Sequence, residues 1–192
     1  MPDLINRLPN RILAFAALLL ISSLATAELA PPRIEAYIAS LGEVRVLGDE
    51  LKAEGKQGLL ARQIMPRAGE PFDPHLGAVR TLKRDEPGYF SRLEQSVLRQ
   101  GFTSADSWAR TGDQIVLAYG AVKVSTESPQ LLVLAGQSGP EQELLLQALP
   151  EQQRAQLRQA MVVARALSKV PEADKNAVRP YVGQLDKLFS QN

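Results

Sequence analysis

The chain has no cysteine and a single histidine, His75, among its 192 residues. The first absence excludes a disulfide scaffold and any thiolate nucleophile or metal ligand, and the second excludes zinc or iron centres built from several imidazoles. Aromatic residues are sparse, at 5%, with one tryptophan. The 22 basic side chains are balanced by 21 acidic ones, so no strong field is available to gather a polyanion, and nucleic acid is not an expected partner. No apolar run approaches the roughly 20 residues that a membrane span needs. The sequence also lacks a dinucleotide or phosphate-binding glycine loop, an H-E-x-x-H pair, an EF-hand loop and a G-x-S-x-G elbow. A conventional hydrolase is therefore disfavoured, and no cofactor is expected.

What the chain does have begins with an address. Arg7 and Arg11 precede the apolar run Ile12 to Ile21, and Ala25, Thr26 and Ala27 follow it. A basic start, a short apolar stretch and an A-x-A site make a secretory signal peptide, with cleavage expected after Ala27. Residues 28–192 are then expected as one periplasmic or secreted domain without a stable membrane anchor. Lipid attachment would need a cysteine after the run, and there is none.

Within that domain, 13 prolines and 13 glycines fall mainly between stretches of helical periodicity rich in Ala, Leu, Gln, Glu and Arg. Ile34, Tyr37, Ile38, Leu41, Val44 and Leu51 form one stripe after Pro31 and Pro32. A short helical turn carries Leu59, Leu60 and Ile64. Pro74 and Pro87 each open a further helix, with Leu76, Val79 and Leu82 on one and Phe90, Leu93, Val97 and Leu98 on the next. Thr103 to Asp106 reads as a weak capping box for a helix striped by Trp108, Gly112, Ile115, Tyr119 and Val122. Gly112 in its middle predicts a close crossing by a neighbouring element. The run Leu131 to Ala135 is expected as a short buried helix, Ser138 to Glu141 as a second capping box, and Pro180 as a kink in the last helix. The fold class is all-α: a single-domain bundle of about five to seven helices.

Polar chemistry could gather in one loop, where Glu70, Asp73 and His75 lie within six residues of each other. The simpler reading makes Asp73 an N-cap, Pro74 the first helical residue and His75 part of the first turn. Asp106 and Asp113 are two turns apart, roughly 10.5 Å of rise, too far to serve one scissile bond. Asp113 is expected to pair with Arg110. Arg80, Lys83 and Arg84 read as a solvated basic face beside Asp85 and Glu86.

The stretch Leu149, Pro150, Glu151, Gln152, Gln153 resembles a single copy of the L-T-x-x-Q motif of small helical periplasmic chaperones, with proline in place of threonine. The resemblance implies a chaperone-like surface. Leucine distribution points the same way: Leu131 and Leu132, and Leu144, Leu145 and Leu146, are consecutive, so helical geometry spreads them around more than one face. Such side chains either fill a central core, line a cavity or meet another protein. An interaction or chaperone-like module working on another periplasmic or secreted protein is the leading expectation. A carrier of a lipid or other apolar ligand comes second, and a hydrolase around Glu70, Asp73 and His75 third.

Overall fold

A computed structural model describes residues 29–64, 72–136 and 146–190. The described residues are helical throughout, with no strand, in the order α1 (Pro31–Ala53), α2 (Gln57–Ile64), α3 (Pro74–Asp85), α4 (Pro87–Arg99), α5 (Ala105–Glu127), α6 (Pro129–Gly136), α7 (Glu151–Ser168), α8 (Glu172–Val178) and α9 (Val182–Phe189). Proline opens α1, α3 and α4, where its missing N–H removes a donor that has no intrahelical partner in any case. A 3-10 turn over Arg179–Tyr181, containing Pro180, joins α8 to α9 at the expected kink. The all-α bundle is thus the observed architecture. The capping box of 138–141 and the segment carrying Leu144 and Leu145 lie outside the described residues.

Local signals account for most boundaries. Gly101 ends α4 with φ of +85°, and the Phe102 amide reaches back to the Val97 carbonyl at 3.2 Å, a left-handed helix stop that only glycine adopts without strain. Ser104, rather than Thr103, caps α5: its hydroxyl accepts from the Ser107 amide at 3.0 Å. The long α5 is the spine, touching α1, α3, α4, α6, α7 and α8. Around its first half lies the main core, where Ile34, Tyr37, Val79, Val97, Ile115, Val178 and Leu185 are almost fully buried. The C-terminal rod closes this core, with the Tyr119 hydroxyl donating to Asp186 at 2.5 Å and Tyr181 to Glu35 at 3.0 Å.

The chain joins the core as soon as it is described. Leu29 is buried, and its amide donates to Asp174 near the start of α8 at 3.3 Å. Between α1 and α4 runs an antiparallel ladder: Glu43 meets Ser96 and Arg99, Glu50 meets Arg92, and Glu54 meets Tyr89. The stripe expected on α4 is narrower than its sequence suggests, because Leu98 is exposed. It stands one position beyond Val97 and therefore turns out of the face that packs on α1 and α5.

Gly112 sits where the bundle is tightest. A methyl group added there would lie 2.7 Å from a Tyr37 ring carbon and 2.9 Å from a His75 ring carbon, which meets the expectation of a close crossing. At Gly120 the nearest atom would be the flexible end of Leu167, at 3.0 Å. Gly112→Ala is therefore expected to lower the unfolding free energy by about 1–3 kcal/mol, although helix propensity alone favours alanine by about 1 kcal/mol. Gly120→Ala should be near neutral. Urea denaturation of the two variants checks the contrast.

Candidate functional site

The first turn of α3 is the best-organised polar site in the described structure. Pro74 occupies the first helical position, so the first amides without an intrahelical acceptor are those of His75 and Leu76. Asp73 stands at the N-cap but its side chain caps nothing; its carboxylate reaches Arg80 at 3.4 Å instead. The acceptor comes from α5. Asp113 Oδ1 accepts from the His75 amide at 2.8 Å, and its Oδ2 from the Leu76 amide at 3.1 Å. This overturns the expected Asp113–Arg110 pair: the carboxylate faces inward, 7% exposed, whereas Arg110 points to solvent. An anion at a helix N-terminus also meets the positive end of the helix dipole.

The same Asp113 oxygen lies 2.9 Å from His75 Nδ1, and His75 Nε2 lies 2.8 Å from the Tyr37 hydroxyl. With Asp113 as acceptor, Nδ1 carries the proton, Nε2 presents a lone pair, and the Tyr37 O–H donates to it. Burial, with the nearby Asp113 charge adding to it, raises the Tyr37 phenol far above its ordinary range. Tyr37 stacks at a tilt on Trp108, with ring centroids 5.8 Å apart, and His75 meets Trp108 edge-on at 5.4 Å. The Trp108 indole N–H donates to Ser40 at 2.7 Å, and the Ser40 hydroxyl donates to the Tyr37 carbonyl at 2.6 Å. One network thereby links α1, α3 and α5.

Of the loop residues expected to act together, the structure brings Asp73 and His75 into different surroundings, and Glu70 lies outside the described residues. Asp73 lines an open polar groove of about 760 Å³ with Arg33, Asp106 and Arg110. His75 borders a second groove of about 690 Å³, rimmed by Arg45, Asp49 and Lys52 and closed on one side by Phe189. Arg80 and Arg84 are exposed and pair with Asp73 and Asp85, as a solvated face should. Among the described residues no group of three His, Asp or Glu is placed to hold a metal ion. Sequence reasoning missed Tyr37 and Asp113 as partners of His75, and Ser40 as the partner of Trp108. The available signal was an acidic residue beside Gly112 in the middle of an apolar helix.

The leucine-rich region is built differently. Helices α6 and α7 pack on each other and on α5, and none of their described side chains joins the main core. Gly120 admits Leu167 of α7 against α5. Leu146, Met161 and Ala164 are buried, Leu131 and Leu132 are half-buried, and Val133 is 63% exposed. The short buried helix expected at 131–135 is a helix, and its described side chains, at 131, 132 and 133, are half-buried or exposed. Leu144 and Leu145 are not among the described residues. The chaperone-like stretch forms the start of α7, where Pro150 is the N-cap and Arg154 folds back to donate to the Leu149 carbonyl at 3.0 Å.

Comparison with known proteins finds no matching family model, no similar curated protein and no similar solved structure. The chemistry of the site must stand on its geometry.

Asp113→Ala would leave two α3 amides and the His75 ring N–H without their acceptor, and is expected to cost about 3 kcal/mol or more. Asp113→Asn, which retains one carbonyl acceptor, should recover part of that loss in urea melts. The phenols set the alkaline limit. Tyr37 is raised chiefly by burial, Tyr119 by burial and then Asp186, Tyr89 first by its bond to Glu54, and Tyr181 first by its bond to Glu35. A group whose folded pKa lies above its unfolded value, about 10 for tyrosine, stabilises fully below that value and loses the contribution as pH rises through it. Thermal stability should therefore fall above about pH 10, and Tyr37→Phe should flatten the decline while lowering stability at pH 7.

Proposed function

We propose that this chain is an exported helical module that binds other polypeptides through its α6–α7 arm. The observation that carries the reading is the arm's incomplete burial: apolar side chains at 131, 132 and 133 lie on a layer separate from the main core, with Val133 largely exposed. An aliphatic helical surface of this kind suits an amphipathic helix or an extended apolar segment of a partner. The balanced charge of 22 against 21 favours contact through apolar side chains over electrostatic capture.

Export rests on the signal sequence that ends at Ala27. Two features support release as a periplasmic or secreted domain. Among the described residues no helix is long and apolar enough to cross a membrane, and the core makes use of the chain from Leu29 onward. A cut after Ala27 leaves Leu29 in place, whereas a cut a few residues later would remove a core side chain.

The saturated His75 node supports a non-enzymatic role. A general base relays a proton to or from a group that meets substrate, whereas the partner of His75 Nε2 is the Tyr37 hydroxyl, which has no exposed surface. Tyr37, held above its ordinary pKa in the core, supplies no phenolate.

The test joins three measurements. N-terminal sequencing of the exported protein should begin at Glu28. A photo-crosslinker placed at Val133 should join the protein to another exported chain. The purified domain should slow aggregation of an unfolded exported protein, and Val133→Glu should weaken that effect roughly fivefold, about 1 kcal/mol, without altering the melting temperature. Absence of both crosslink and aggregation effect would overturn the proposal.

A further inference from the structure

A second feature lies away from the arm, in a cleft of the main bundle. Between α1, α2, α3 and α4, with Trp108 of α5 as one wall, the structure leaves a space of about 130 Å³. Its lining is aliphatic for the most part, including Leu47, Leu60, Val79 and Leu93. Half of its wall is partly exposed, so the space opens to solvent as a small apolar cleft, and an apolar occupant would release the water that stands against these side chains.

The wall decides what that occupant can be. Three lining residues carry polar side-chain atoms, and each is already engaged. Both nitrogens of His75 are taken by Tyr37 and Asp113, the Trp108 N–H by Ser40, and the Tyr89 hydroxyl by Glu54. A buried water needs two to four polar partners, and a charged or strongly polar ligand needs more. Neither finds a free side-chain donor or acceptor here. The volume is far below that of a lipid chain and close to the roughly 150 Å³ of apolar sites that take up benzene or xenon. We propose that this cleft is a binding site for one small, uncharged, apolar molecule of about the size of a single aromatic ring. This site is independent of the α6–α7 arm, and neither proposal requires the other.

Trp108 provides the readout, since it is the protein's one tryptophan and forms part of the wall. Titration of the purified domain with toluene should give a saturable change in tryptophan emission. The midpoint of thermal unfolding should rise by about 3 °C when toluene stands at ten times its dissociation constant. Ala78→Leu adds volume to the wall from α3 and should weaken toluene binding more than about tenfold. Gly48→Leu is a second filling variant from α1, where a Cβ meets no atom within 4 Å, and it should do the same without loss of fold. In methyl NMR spectra, toluene should move the resonances of Leu47, Val79 and Leu93 and leave those of α7 unchanged. No saturable response up to the solubility limit of toluene would overturn the proposal. So would shifts that avoid the three wall residues, or a folded filling variant that binds as well as the parent.

Discussion

The bundle is organised by one carboxylate. Asp113 projects from the middle of α5 and accepts three N–H groups at the beginning of α3, two from the backbone and one from the imidazole. Hydrogen bonds to a charged partner contribute about 1.5–3 kcal/mol each, more than neutral ones. Their directionality matters as much as their strength: a helix end held by three converging bonds can neither slide nor rotate against α5. With α3 fixed, the His75 ring is fixed as well, and the orientation of His75 places its remaining nitrogen toward Tyr37 on α1. Each later contact inherits its position from that arrangement, including the tilt of Tyr37 on Trp108 and the Trp108–Ser40–Tyr37 bonds that close the loop.

An Asp–His pair followed by a hydroxyl resembles a catalytic relay in outline, and the difference lies in where each member sits. In a relay the terminal hydroxyl meets substrate. Here Tyr37 has no exposed surface, and its proton is directed into the protein. Gly112 reinforces the closure, because the absence of a side chain lets both rings press directly on the α5 backbone. These atoms bind three helices together. Because every member is satisfied, the network meets the condition under which a buried polar cluster rigidifies a core. A half-satisfied version would weaken it.

How much of this was legible depended on sequence distance. The proline-opened helices, the glycine stop at Gly101 and the kink at Pro180 are local features, encoded within four or five residues, and they could be read directly. The stripes through Leu76, Val79 and Leu82 and through Trp108 and Ile115 were equally visible, because burial repeats with the helical period. The node was not. Its decisive pairs are 37 and 38 residues apart, and local rules gave Asp113 a neighbour one turn away, Arg110, and gave the α3 cap to Asp73. Both assignments respect helix geometry; the Arg110 pair fails, and Asp73 holds the N-cap position while its carboxylate caps nothing, because tertiary packing supplied a better acceptor than the adjacent residue. Gly112 was the partial exception: a glycine inside a helix signals a close neighbour without saying which one. Consecutive leucines posed the opposite difficulty. Composition cannot say how many layers will cover a helix, so Leu146 could end buried while Val133, with the same helix-striping credentials, ended exposed.

The division of the core follows from α5 being longer than the layer packed on its first half. Twenty-three residues of α-helix rise roughly 35 Å, and the network around Asp113 lies within the first ten of them. Beyond Ala118 no fully buried α5 residue belongs to the main core; α6 and α7 cover the second half of α5, with Ala121, Leu146, Met161 and Ala164 buried there, and α9 flanks it where Asp186 meets Tyr119 and Lys123. Side chains in a thin layer have fewer neighbours to lose, so a local opening of the arm exposes less apolar area than an opening of the node would. Rearrangement is therefore cheapest where the half-buried leucines are, and most costly where the polar network sits. On the proposed reading, a surface that adapts to different apolar segments belongs at the less deeply packed end of a rigid spine, and α5 provides both ends in one helix.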